Sequence, residues 1–169
     1  MNIYIAYGTG DYLQTLKKQH PLETLRVMTN ADRTILVHES NKETFFKEGH
    51  SYEVIDQSGE LPEEGFAVLN NIPVRDEGRP LFEERFQNRA RLIEHEPGFQ
   101  AIRVLRPLDS DTYIILTVWQ DEKSFKGWQK SNAYDKAHKK RGTSEGIDNT
   151  SIFSGPSYVT NYHIVNDEE

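Results

Sequence analysis

The chain has 169 residues, 36% of them hydrophobic, a formal net charge of -7 and no cysteine. That is enough apolar material for one ordinary core or two small ones, and it excludes disulfides and thiolate chemistry. The acidic balance argues against a nucleic-acid partner, because phosphates are neutralised by a basic face. No basic leader precedes the short apolar run at Ile3, and no apolar stretch approaches the length that spans a bilayer. The expectation is a soluble, cytoplasmic protein with no membrane partner.

In chain order, apolar spacing predicts a strand over Ile3–Tyr7, a helix over Asp11–Lys18 and strands over Leu25–Met28 and Thr34–His38. A short helix around Glu43–Phe46 and a strand over Tyr52–Ile55 follow. The segment Gln57–Gly65, QSGELPEEG, has the composition of a connector. Beyond it, Phe66–Val74 alternates as a strand. A helix then enters at Pro80 and continues through Leu81, Phe82, Phe86, Arg89 and Ile93 to stop at Glu96-Pro97-Gly98. Strands over Phe99–Leu105 and Tyr113–Trp119 flank a polar turn. Helical segments over Asp121–Lys130 and Asn132–Lys140, a polar loop over Gly142–Ser151 and a strand over Tyr158–Val165 complete the chain.

The second part therefore reads β-α-β-β-α-β, and the first repeats that order in miniature. The fold class is α+β. Two ferredoxin-like halves, a truncated one over 1–60 and a full one over 66–169, are expected to pair into the barrel that such units form as dimers. Because a sheet with one bare apolar face needs a cover, the halves should cover each other within one polypeptide. That makes the chain a monomeric pseudo-dimer, with a homodimer as the other arrangement.

On the strand from Phe66, the alternation puts Phe66, Val68, Asn70, Ile72 and Val74 on one face and Asn71 on the other. Asn70 is the only polar member of its face. A buried amide without partners costs about 1–3 kcal/mol, so Asn70 either meets a ligand or marks, with Asn71, a bulge or strand end. Trp128 reads either as core packing with Phe125 or as a pocket wall. His138 reads either as a cation at a helix C-terminus or as an iron ligand, since a porphyrin needs only one ligand from the protein. The basic run Lys139-Lys140-Arg141 is either a solvated face or a partner for an anionic ligand. Arg85, Phe86 and Arg89 share the first long helix of the second half. There is no GxGxxG, P-loop, HExxH or nucleophile elbow.

The segment ILTVWQDEKSFKGWQKSNAYDKAHKKR, with NNIPVRDEGRPLFEERFQNRA upstream, resembles the IsdG-type haem-degrading monooxygenases of the antibiotic biosynthesis monooxygenase superfamily. The N-terminal extension is similar to that of the longer, Bacillus-type members. The resemblance implies haem as substrate and cofactor, O₂ and an electron donor as partners, and a bilin-type product with free iron. It also implies Asn70 and Trp128 as catalytic residues and His138 as the axial iron ligand. Arg85, Phe86, Arg89 and Lys139 would line the haem site. The alternatives are a haem-binding protein without turnover, a cofactorless monooxygenase acting on a quinol-like aromatic, and a purely structural dimerisation module.

Overall fold

The alternation seen in the sequence becomes eight strands and three helices in a computed structural model, which describes residues 1–87, 92–131 and 152–166. The first half contains β1 (Asn2–Gly8), α1 (Gly10–Lys18), β2 (Thr24–Thr29), β3 (Thr34–Ser40) and β4 (His50–Ser58). The second contains β5 (Gly65–Pro73), α2 (Arg79–Gln87), β6 (Phe99–Pro107), β7 (Thr112–Trp119), α3 (Glu122–Gln129) and β8 (Tyr158–Ile164).

The strands close into one antiparallel barrel in the order β1-β3-β2-β8-β5-β7-β6-β4, with β4 returning to β1. Each half alone has the same sheet order. Its fourth strand lies beside the first, then come the third and the second, as β4-β1-β3-β2 and β8-β5-β7-β6. The fourth strand of each half then pairs with the second strand of the other, β4 on β6 and β8 on β2. The two pseudo-repeated halves thus pair within one chain, as the sequence pattern implies, and no strand edge is left open.

Period-two alternation splits the apolar residues into two sets. Ile3, Ile5, Met28, Val37, Leu69, Leu105, Leu116 and Tyr162 fill the barrel. The opposite set lies outside, under the helices. Leu13 of α1 packs on Ala6, Val27 and Leu36, while Phe82 of α2 and Phe125 of α3 cover the second half.

One end of the barrel is stoppered by the connector. Leu61 is 4% exposed there, and Arg26 donates from Nη2 to its carbonyl (2.9 Å) and from Nε to the carbonyl of Pro62 (2.8 Å). Arg103, 3% exposed, donates to the Ser58 carbonyl (3.1 Å) and pairs with Glu39 at 2.6 Å. Guanidinium groups this deep are tolerable because their donors are occupied.

Two expectations fail. Glu43–Phe46 is not a helix but an irregular strap. The Thr44 hydroxyl accepts the Phe46 N–H (3.2 Å), a local turn bond that replaces helical bonding, and the aromatic rings are drawn inward. Phe45 stacks on His20 at 3.7 Å, and both Phe45 and Phe46 pack on His38. His38 is fully buried, with Nδ1 3.0 Å from Thr44 Oγ1 and Nε2 3.2 Å from Glu23 Oε1. The helix entered at Pro80 also does not keep α geometry to Glu96, because Leu92–His95 forms a separate 3₁₀ turn. The helix expected over Asn132–Lys140 and the loop over Gly142–Ser151 lie outside the described residues.

Phe82, with no exposed surface, joins α2 to Ile72, Val74 and Tyr113. Replacing Phe82 by Ala should lower the unfolding free energy by roughly 3–5 kcal/mol in urea denaturation, and a loss below about 1 kcal/mol would contradict this packing role.

Candidate functional site: a seam on the outer face of the second half

β5 pairs without interruption with β7 on one side and β8 on the other, through both Asn70 and Asn71, so these residues mark neither a bulge nor a strand end. The alternation sends them to opposite faces. Asn71 is buried inside the barrel, where its Nδ2 donates to the Leu69 carbonyl (3.0 Å), the Tyr158 carbonyl (3.2 Å) and Thr160 Oγ1 (3.3 Å). Asn70 is half-buried on the outer face, and its side chain makes no hydrogen bond among the described residues.

Along that face, Asn70 separates two apolar clusters. Ile72 leads into the cluster under α2, where Phe82 packs on Tyr113 (4.6 Å between centroids) and on Phe86 (5.0 Å), with Ile115 beside them. Val68 and Phe66 lead into the cluster under α3, where Trp128 stacks on Trp119 (5.6 Å) and meets Phe125 (6.1 Å). Asn70 therefore sits in a seam between two apolar walls, directly across from Ile115 of β7 and Val159 of β8. Trp119 is a structural member of its wall, with no exposed surface and Nε1 donating to Thr117 Oγ1 at 3.0 Å.

Both walls are held in register by polar contacts. Asp121 caps α3 by accepting the Ser124 N–H at 2.8 Å. The turn before β6 comes close enough to α3 only because Gly98 has φ +81° and no side chain, since a Cβ there would lie 2.2 Å from Ser124 Oγ. α2 is held through Glu83. Its carboxylate accepts from Arg106 Nε (2.9 Å) and Nη2 and from the Tyr113 hydroxyl, which itself accepts from Arg79 Nε at 3.2 Å. Arg106 reaches Glu53 as well, at 2.7 Å. The Arg106 guanidinium, then the Tyr113 hydroxyl, hold the Glu83 carboxyl below its ordinary value against the opposing effect of burial. Burial, reinforced by the bond to Glu83, pushes Tyr113 up to about 12.

Of the residues singled out from sequence, the fold brings Asn70, Phe86 and Trp128 to this seam and its walls. Arg85 lies beside Phe86 on α2, and its Nε is buried without a hydrogen-bond partner among the described residues. Arg89, His138 and Lys139 lie outside the described residues. The Glu83 anchor went unrecognised because its partners, Arg106 and Tyr113, are 23 and 30 residues away in sequence and no local spacing joins them.

A family model for the antibiotic biosynthesis monooxygenases matches residues 65–140, from the first residue of β5 through α3 and beyond. The matched stretch is similar to an antibiotic biosynthesis monooxygenase domain. Asn70, α2 and Trp128 all fall within it, whereas the first half of the barrel precedes it. Over 92% of its length the whole chain is 26% identical to a haem-degrading monooxygenase of Listeria monocytogenes, covering 95% of that protein. It is also 26% identical to a signal transduction protein, TRAP, of Staphylococcus epidermidis, over 86% of this chain and 87% of that one. A solved structure described as a major regulator of staphylococcal pathogenesis has the same fold, with a TM-score of 0.85 at 23% identity, covering 97% of this chain and 99% of the other. No described helix is long and apolar enough to cross a membrane.

The Glu83 anchor has a pH signature. Because its folded-state pKa lies below the ordinary value of 4.5, its contribution is fully present above that pH and is lost as pH falls through the folded value. Glu83→Gln should lower the melting temperature at pH 7 and flatten its decline below about pH 4.5. A variant whose melting curve parallels the wild type's between pH 3 and 7 would remove Glu83 from this role.

Proposed function

We propose that this chain is a haem-degrading monooxygenase that binds haem in the seam at Asn70 and opens its ring with O₂ and electrons from a reductant. The observation that carries the reading is Asn70 itself. An amide without a hydrogen bond among the described residues, set between two aromatic walls, is suited to a ligand that is flat and apolar over most of its area and polar at one point. A porphyrin fits that description, and its carboxylates suit the buried Nε of Arg85, which has no hydrogen-bond partner among the described residues. The similarity to the Listeria haem-degrading monooxygenase supports the same substrate.

In this reading, haem is the substrate and also supplies the iron at which O₂ is reduced. The chain supplies geometry. The Asn70 amide donates a hydrogen bond that orients the reacting oxygen toward the ring edge, and Trp128 presses on one face of the ring and limits how flat it can lie. His138 would hold the iron through a neutral imidazole, and Lys139 and Arg89 would pair with the carboxylates alongside Arg85. In each oxygenation one atom of O₂ would go to the bridging carbon and the other to water, with two electrons from the reductant, and ring opening would yield a bilin-type product, the bridging carbon in oxidised form and iron.

Haemin added to the protein should give a Soret band, and ascorbate in air should then bleach it with release of iron. Asn70→Ala should keep the Soret band and slow bleaching by about tenfold or more, equivalent to about 1.4 kcal/mol of barrel-held orientation. His138→Ala should weaken haem binding itself. The TRAP relative, 26% identical, is described as a signal transduction protein, and it favours a second reading in which the chain does not turn haem over. A stable Soret band in the presence of ascorbate would establish that reading and overturn the enzyme.

A further inference from the structure

The barrel has a second, open end opposite the stopper formed by Leu61, Arg26 and Arg103. There β1, β3, β4 and β8 end or begin, and their inward-facing registers continue past the apolar core into polar and aromatic residues. Tyr7 follows Ile3 and Ile5, Arg33 precedes Ile35 and Val37, His50 precedes Tyr52, and Tyr158 precedes Tyr162. Together with Gly8, Asp32 and Thr34, these residues line a cleft of about 650 Å³ at the barrel mouth. Barrel mouths are recurrent ligand sites, because converging strands hold side chains around a common hollow.

Three features set the chemistry of an occupant. The first is aromatic surface. Tyr7 and Tyr158 are each about half exposed, and the His50 ring meets Tyr7 at 5.9 Å with the planes nearly perpendicular, so aromatic surface faces the cleft. The second is charge. Arg33 lies over the Tyr7 ring at 5.4 Å, and its guanidinium makes no hydrogen bond or ion pair among the described residues. The nearby Asp109 is already engaged, accepting from the Ser51 N–H (3.3 Å) and lying 3.4 Å from His50 Nδ1. A single available cation among the described lining residues, with Asp32 and Asp109 close by, suits one carboxylate and opposes a phosphate dianion. The third is a donor. Burial raises Tyr7 above the ordinary phenol value, so its hydroxyl remains protonated at neutral pH.

We propose that the barrel mouth is a binding site for a small aromatic carboxylate, with its ring among Tyr7, His50 and Tyr158 and its carboxylate on Arg33. The site is separate from the seam at Asn70, which lies on the outer wall of the second half. It does not depend on the haem reading.

Titration of the full-length protein with benzoate, followed by amide NMR, tests this. Saturable shifts should be confined to the amides of Tyr7, Gly8, Thr34, His50 and Tyr158. Benzylamine, of the same size and opposite charge, and cyclohexanecarboxylate, with the charge but no aromatic ring, should each bind about tenfold more weakly or worse. Arg33→Ala and Tyr158→Ala, both at solvent-exposed positions, should weaken benzoate by a similar factor, while Asn70→Ala leaves it unchanged. The proposal is overturned if benzoate gives no saturable shifts at these amides, if benzylamine binds as well, or if Arg33→Ala retains wild-type affinity.

Discussion

The pairing of each half's last strand with the other half's second strand is the constraint on which the structure rests. β4 on β6 and β8 on β2 convert two four-stranded sheets, each with two open edges, into one closed cylinder. Closure fixes which side of every strand is interior, and so it fixes which of two adjacent asparagines meets the core and which faces the helices. It also makes the interior a dry space that ordinary aliphatic side chains fill, with a connector for a stopper at one end and polar rings at the other. Were β8 to slip by one residue against β5, Asn71 would lose its two hydrogen bonds to β8, at the Tyr158 carbonyl and Thr160 Oγ1, and Asn70 would still face outward, so the register is specified by an amide as well as by apolar fit.

The outer face of the second half shows how a site can be left open in a covered surface. α2 and α3 each bring their own aromatic cluster and their own polar anchor. Glu83 with Arg106 and Tyr113 holds the first, and Asp121 with Gly98 holds the second. Two independently fastened helices need not meet along their whole length. The position between them is occupied on β5 by a residue that cannot contribute to either apolar cluster. Rigid walls with an amide at their junction provide a preorganised contact, because neither wall has to move for a ligand to find the donor.

Much of this was legible in the sequence, and the reasons differ from residue to residue. That Asn70 and Asn71 face opposite sides follows from period two alone, so a single strand sufficed; which of them is inside is decided by closure. The repeated element order was legible for the same reason, since each element carries its own period and its own turn residues. The strap at Glu43–Phe46 was misread because a one-turn pattern has too few positions to distinguish a helix from aromatic residues drawn onto a buried histidine. The cross-pairings β4–β6 and β8–β2 have no local signature at all. Neither has the barrel mouth, whose Tyr7, Arg33, His50 and Tyr158 come from four separated segments. Ring pairs, salt bridges and clefts of this kind exist only after closure.

His38 gives the two halves different fates. In the first half, the strap carries Phe45 and Phe46 onto the outer face of the sheet, and Thr44 and Glu23 engage both nitrogens of the ring beneath them. That face is solid where its counterpart in the second half has a seam. A barrel assembled from two identical chains would have to carry the same face twice, with either two sites or none. Joining the halves in one polypeptide lifts that symmetry requirement: one face can be packed purely for rigidity while the other gives up packing around a polar amide, so the seam occurs once, on a scaffold stiffened by its other half.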